Sequence, residues 1–132
     1  MSIDDIAKSL PEGFHDSYFE KIEINYIEEH ALILVDVWIG DMDMVNPEVY
    51  RRGLLEIEGL VYFIIEQPIG KIGHRRGRLS TTGADKFERD NANINKCRFF
   101  INVYNSFIHI AGKSATFKWI EAERVLPTCN YY

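Results

Sequence analysis

The run from Leu54 to Ile65, LLEIEGLVYFII, is the feature that most limits what this chain can fold into. Read as an extended strand it is apolar on both faces: Leu55, Ile57, Val61, Phe63 and Ile65 share one parity, and Leu54, Leu60, Tyr62 and Ile64 share the other. Many of these residues are β-branched or aromatic, and Gly59 interrupts the run where a helix would lose about 1 kcal/mol. The segment therefore predicts a central strand starting near Tyr50, with Gly59 as a bulge that bends it. A bent strand with two apolar faces belongs in a curled sheet or a small barrel.

The flanking sequence supplies partners for such a strand. In Tyr18 to Tyr26, Ile22, Ile24 and Tyr26 alternate with Lys21, Glu23 and Asn25. In Ala31 to Ile39, the apolar set Ala31, Ile33, Val35, Val37 and Ile39 opposes Leu32, Leu34, Asp36 and Trp38. Glu28, Glu29 and His30 turn the chain between them, which predicts an antiparallel hairpin. Ser2 with Asp5 reads as a capping box for a short helix over Ile3 to Ser9, with Ile3, Ile6 and Leu10 facing inward and Pro11 ending it. The last third reads as a meander of Cys97 to Tyr104, Phe107 to Ala111 and Ala115 to Glu121, with turns at Asn105-Ser106 and Gly112-Lys113-Ser114. Ile69 to Asn95 reads as a long loop holding a short helix over Ala84 to Asp90, capped by Thr82 with Asp85.

Together these elements predict one mainly β domain over residues 1–132: an antiparallel curled sheet or small β-barrel of about six or seven strands with one short N-terminal helix. The expected core is Ile33, Val35, Val37, Ile57, Val61, Phe63, Ile101 and Val103.

Composition limits function. A net charge of -5 argues against non-specific nucleic-acid binding and against attachment to an anionic membrane, and favours a basic partner. The opening MSIDDIAKSL has neither a basic start nor an apolar core, and no apolar run approaches ~18 residues, so a cytoplasmic protein without membrane spans is expected. Cys97 and Cys129 are too few for a zinc site by themselves and are expected as free thiols. There is no G-x-S-x-G elbow, Walker loop, G-x-G-x-x-G or H-E-x-x-H, and no cofactor is implied.

Four groups of residues invite a functional reading. The face carrying Asp36 and Trp38, with Glu56, Glu58 and Tyr62 of the central strand, mixes large rings with carboxylates, which suits a binding face for a protein partner or for self-association. The later strands add Phe100, Asn102 and Tyr104, or Phe107 and His109. His15 and Asp16 form a weaker site. As strand neighbours they would point apart, so they serve one metal or one proton transfer only if a turn rotates them together and folding adds a residue such as His109. Asp41, Asp43 and Asn46 in one loop offer oxygen ligands, without the glycine and late glutamate of an EF-hand. Lys71, Arg75, Arg76 and Arg78 read as an exposed basic loop suited to anions.

At LPEGFHDSYFEKIEINY, and again at YRRGLLEIEGLVYFIIE and FFINVYNSFIHI, the chain resembles a family of small bacterial proteins with a Gly-Phe-His-Asp turn before the first strand. That resemblance implies no particular activity. More loosely, His15-Asp16-Ser17 ahead of a strand is similar to immunity proteins of bacterial toxin systems, which implies a small acidic cytosolic binder. The sequence thus points first to an interaction module, and secondarily to a small-ligand or metal-dependent enzyme using His15 and Asp16. On the first reading Trp38 lines the contact surface, and Trp38→Ala weakens association by about 2 kcal/mol while harming folding less than Val37→Ala.

Overall fold

The computed structural model describes residues 2–39, 49–69, 79–89, 93–120 and 124–125. Helix α1 (Ile3–Ser9) is followed by β1 (Pro11–Phe14), β2 (Ser17–Asn25), β3 (His30–Trp38), β4 (Val49–Ile65), β5 (Leu79–Arg89), β6 (Asn95–Ile101), β7 (Ser106–Trp119) and the two-residue β8 (Arg124–Val125). Strands β2 to β7 pair in the order β3-β2-β5-β6-β7-β4, and β3 pairs again with β4, so six antiparallel strands close into a barrel. β8 adds to β4 at Val49 and Tyr50. The chain is mainly β with one short helix, as expected.

Closure depends on β4, which is long enough to serve two neighbours at different heights. It pairs with β3 from Tyr50 to Glu58 and with β7 from Gly53 to Ile65. Inward side chains of the strands fill the interior: Ile33, Val35, Leu55, Ile57, Phe99, Ile101, Ile108 and Ile110 are all fully buried. Phe99 takes Phe14 and Phe19 edge-on at 5.4 and 5.1 Å between ring centroids. A barrel this narrow has room for side chains and little else, so its described interior is a packed core.

α1 closes one end of that core. Asp5 N–H donates to Ser2 Oγ and Ser2 N–H to the Asp5 carboxylate, both at 3.1 Å, which is the reciprocal cap read from the sequence. The cap fixes the helix start so that Ile3 and Ile6, followed by Leu10, turn into the barrel. No described helix is long and apolar enough to cross a membrane.

Three expectations need correction. In place of the expected helix over Ala84 to Asp90, the chain up to Arg89 is β5, the strand that completes the barrel by pairing Ser17–Phe19 on one side and β6 on the other; Asp90 lies outside the described residues. Its ladder slips between Thr81 and Gly83 and again between Asp85 and Glu88, so no run of alternating residues is long enough to announce it. Thr81 holds the first slip, its hydroxyl donating to Phe100 O at 2.6 Å and accepting from Gly83 N–H at 3.1 Å. Second, Gly112-Lys113-Ser114 is no turn: β7 runs straight through it. Gly112 is glycine because a Cβ there would collide with the Ile57 side chain. Third, Val61 belongs outside. Gly59 (φ +62°) and a ladder slip between Leu60 and Tyr62 move the inward positions to Leu60 and Phe63, leaving Val61 50% exposed. Val103 lies in the β6–β7 turn, partly buried against the core. Asp41, Asp43 and Asn46, the stretch from Lys71 to Arg78, and Cys129 lie outside the described residues; Cys97 is buried and in no disulfide among the described residues.

Gly53 tests the closure. A Cβ there would run into the Phe117 ring. Gly53→Ala is expected to lower the urea midpoint by an equivalent of about 1–3 kcal/mol, the usual cost of overpacking. Combining it with Phe117→Leu should recover part of the loss, whereas no recovery would mean the strain lies in the backbone.

Candidate functional site

Asp36 and Trp38 do sit on the outer face of β3, as their parity requires, but neither is open to solvent. Asp36 is fully buried and Trp38 is 9% exposed. The register explains Asp36. Tyr18 of β2, Asp36 of β3 and Arg52 of β4 form one row across the sheet. Arg52 Nε donates to Asp36 Oδ1 at 3.0 Å and Nη2 to Oδ2 at 3.4 Å, while Glu20 Oε1 lies 3.5 Å from Nη2. The aspartate is thus held by a forked guanidinium, the geometry in which a buried carboxylate is best tolerated.

Rings surround that row. Trp38 lies opposite Tyr50, Tyr18 approaches Tyr50 at 5.5 Å, and His15 meets the Trp38 ring at 6.2 Å. The cluster braces β2, β3 and β4 from outside, and an aspartate gripped at both oxygens is poorly placed to act as a base. Asp36 and Trp38 are therefore withdrawn from the free binding face. Of the remaining members, Glu56 leans toward His30 at 3.8 Å, Glu58 is exposed, and Tyr62 is half-buried beyond the Gly59 bulge.

The turn before β2 does rotate His15 and Asp16 together. Asp16 takes φ +53°, and His15 Nε2 lies 3.2 Å from Asp16 Oδ2, with both side chains more than half exposed. His109 does not join them. Among the described residues no group of three or more His, Cys, Asp or Glu side chains is placed to hold a metal ion, so the pair gains no third ligand there.

His109 belongs to a second cluster, on the outer face of β6 and β7. Its Nε2 lies 2.9 Å from Glu66 Oε2, and Glu66 Oε1 accepts the Phe107 N–H at 2.8 Å. Glu66 N–H donates to Phe107 O at 3.0 Å, and the Ser106 hydroxyl donates to Glu66 O at 3.3 Å. Hydrogen bonding from His109, followed by that from the Phe107 amide, holds the Glu66 carboxyl below the ordinary value of 4.5. Beside it, Arg98 lies over the Phe107 ring at 4.0 Å, and Phe100 meets Phe107 edge-on at 5.3 Å. Glu66 fastens the segment leaving β4 to the start of β7.

The accessible apolar surface lies elsewhere than the sequence places it. Tyr26 and Ile27, in the β2–β3 turn, are 72% and 96% exposed, and Val61, Ile64 and Ile65 of β4 are each about half exposed. Glu29 O accepts the Leu60 N–H at 2.8 Å, which sets that turn beside β4 next to Val61. The missed signal is Tyr26-Ile27 itself. A hairpin tip needs no large apolar residue, yet two precede Glu28-Glu29.

No family model matches the chain, and no curated protein matches it. Among solved structures it is similar to an uncharacterized protein from Neisseria gonorrhoeae, at 11% identity and a TM-score of 0.43, over 80% of this chain and 92% of that one.

Two expectations follow. Arg52→Met leaves Asp36 buried without its fork, and stability measured in urea should fall by about 3–5 kcal/mol. Trp38→Ala should now cost about 3–5 kcal/mol in folding, as for a core ring, rather than mainly weakening association. The Glu66 bonds add a pH dependence. Its folded pKa is lowered, so the unfolded chain takes up its proton first as pH falls. Glu66 therefore contributes stability that is full above about 4.5 and lost as pH drops through its folded pKa. Denaturation midpoints should fall less steeply on acidification in Glu66→Gln than in the wild type.

Proposed function

We propose that the protein is an interaction module whose contact surface is the barrel end bearing Tyr26, Ile27, Val61, Ile64 and Ile65. The observation that carries this reading is the 96% exposure of Ile27 at a hairpin tip, beside half-exposed Val61. A single exposed isoleucine is ordinary, whereas a tip and an adjoining strand that both present aliphatic side chains match the apolar patches partners cover. The packed interior supports the same choice over a carrier of small molecules, which needs an enclosed hollow. A cytoplasmic binder of this kind, immunity-protein-like or self-associating, is within the proposal.

A photo-crosslinking residue introduced at Ile64 in source cells, with sedimentation of the pure protein, tests the reading. A discrete adduct or a dimer is expected, and either should be lost on Ile27→Ser, which leaves the buried core untouched. A strict monomer with no Ile27-dependent adduct would overturn the assignment.

A further inference from the structure

Deepening the interaction-module reading, on which it rests, we propose that the edge of β4 at Phe63 and Ile65 pairs with the same edge of a second copy of this chain, joining two barrels through one antiparallel sheet.

β4 outruns its neighbour on one side. Its ladder with β3 ends at Glu58, and Leu60 N–H donates to Glu29 O as the last rung, whereas its ladder with β7 continues to Ile65. Glu66 shows which backbone groups are left over, because its N–H donates to Phe107 O and so faces β7. Alternation then turns Ile64 toward β7 as well and points the N–H and C=O of Phe63 and Ile65 the other way. Among the described residues neither finds a hydrogen-bond partner on that side.

Side chains leave this edge unguarded. From Gly59 to Ile65 there is no charged residue and no proline, and Val61, Ile64 and Ile65 are each about half exposed. Edge strands that stay single carry lysine, proline or a covering segment. A run of β-branched and aromatic residues without charge is instead the kind that pairs with its own copy.

A second copy fits in one register. With a two-fold axis at Ile64, Phe63 of each copy stands opposite Ile65 of the other, and each such pair exchanges two backbone hydrogen bonds. Ile64 then faces its own counterpart across the axis. Tyr62 comes opposite Glu66 of the other copy, a carboxylate already turned to His109 and the Phe107 amide of its own chain. The pairing stops where Pro68, which has no amide, reaches Leu60, whose amide Glu29 holds. There the β2–β3 turn meets the end of the incoming strand, which gives Ile27 an apolar neighbour.

Three measurements on the full chain test this. In a Cys129→Ser background, with Cys97 buried, Ile64→Cys should form an interchain disulfide under mild oxidation on the order of tenfold faster than Ile65→Cys. The two counterparts at 64 would lie about 4.5 Å apart between Cα atoms, within disulfide reach, while those at 65 would lie on the other face and out of line. Sedimentation should show a dimer at high concentration that Ile65→Pro abolishes and Ile65→Ser only weakens, because proline removes an edge amide that the barrel does not use. The amides of Phe63 and Ile65 should exchange freely in the dilute monomer and slowly in the concentrated dimer. Circular dichroism checks that each variant is folded; should Ile65→Pro fail to fold, the disulfide and exchange results decide. Amides already protected in the monomer mean that the edge is occupied within one chain, and overturn the proposal. Equal crosslinking at the two positions, or a dimer indifferent to a folded Ile65→Pro, overturns it too. If the pure protein is monomeric while a crosslinker at Ile64 still captures another protein in an Ile27-dependent way, the interaction surface stands and self-pairing is rejected.

Discussion

The barrel depends on one strand changing which way its side chains face. With strict alternation, β4 would carry Val61 and Phe63 on the same side as Ile57. The positive φ of Gly59 and the ladder slip at Leu60–Tyr62 break that alternation, so Leu60 and Phe63 point inward. The positive φ of Gly59 makes the first break inexpensive, and the Lys113 side chain packed across it leaves no space for a Cβ. The bend this produces lets β4 leave β3 after Glu58 and stay with β7 as far as Ile65. The same bend turns Val61 out to solvent, so the exposed strip arises from barrel closure.

Electrostatics reinforces the strands where the apolar core cannot. The outer faces of β2, β3 and β4 are held by Glu20, Asp36 and Arg52 under a cover of Tyr18, Trp38 and Tyr50. Such a pair gains little over apolar packing, but it fixes alignment, because a slip of one residue would carry Asp36 to the inner face without Arg52. At the other end, Glu66 does comparable work with part-buried bonds. It ties the chain leaving β4 to β7 through two backbone contacts and two side-chain contacts.

Much of the fold was legible because strong periodicity left little choice. The β2–β3 hairpin, the capped helix and the strand from Ala31 to Ile39 all follow from alternation or from one capping pair. β5 was hidden because LSTTGADKFER has few apolar residues and two slips, and because its pairing partners Ser17–Phe19 lie some sixty residues away in sequence. Its place is dictated by the gap it fills. The candidate site was less legible. Parity put Asp36 and Trp38 on the outer face correctly, but parity says nothing about what covers that face. An outer position on a sheet predicts exposure only if no other segment crosses it, and that is decided by tertiary structure.

The buried and exposed outer residues together explain why an interaction surface would sit at the hairpin tip rather than at the tryptophan. Trp38 has a large apolar area, and the ring cluster over Asp36 buries it; leaving it exposed would both forfeit that area and hydrate the Asp36–Arg52 pair. Ile27 has no such alternative. It stands in a four-residue turn whose neighbours are Tyr26 and two glutamates, and neither the core nor the brace reaches it. Replacing it by serine would remove apolar surface already in water, so folding has no use for the isoleucine there. On the reading proposed above, a contact made by another chain is the use for that side chain, and the exposed carboxylates of Glu28 and Glu29 border it.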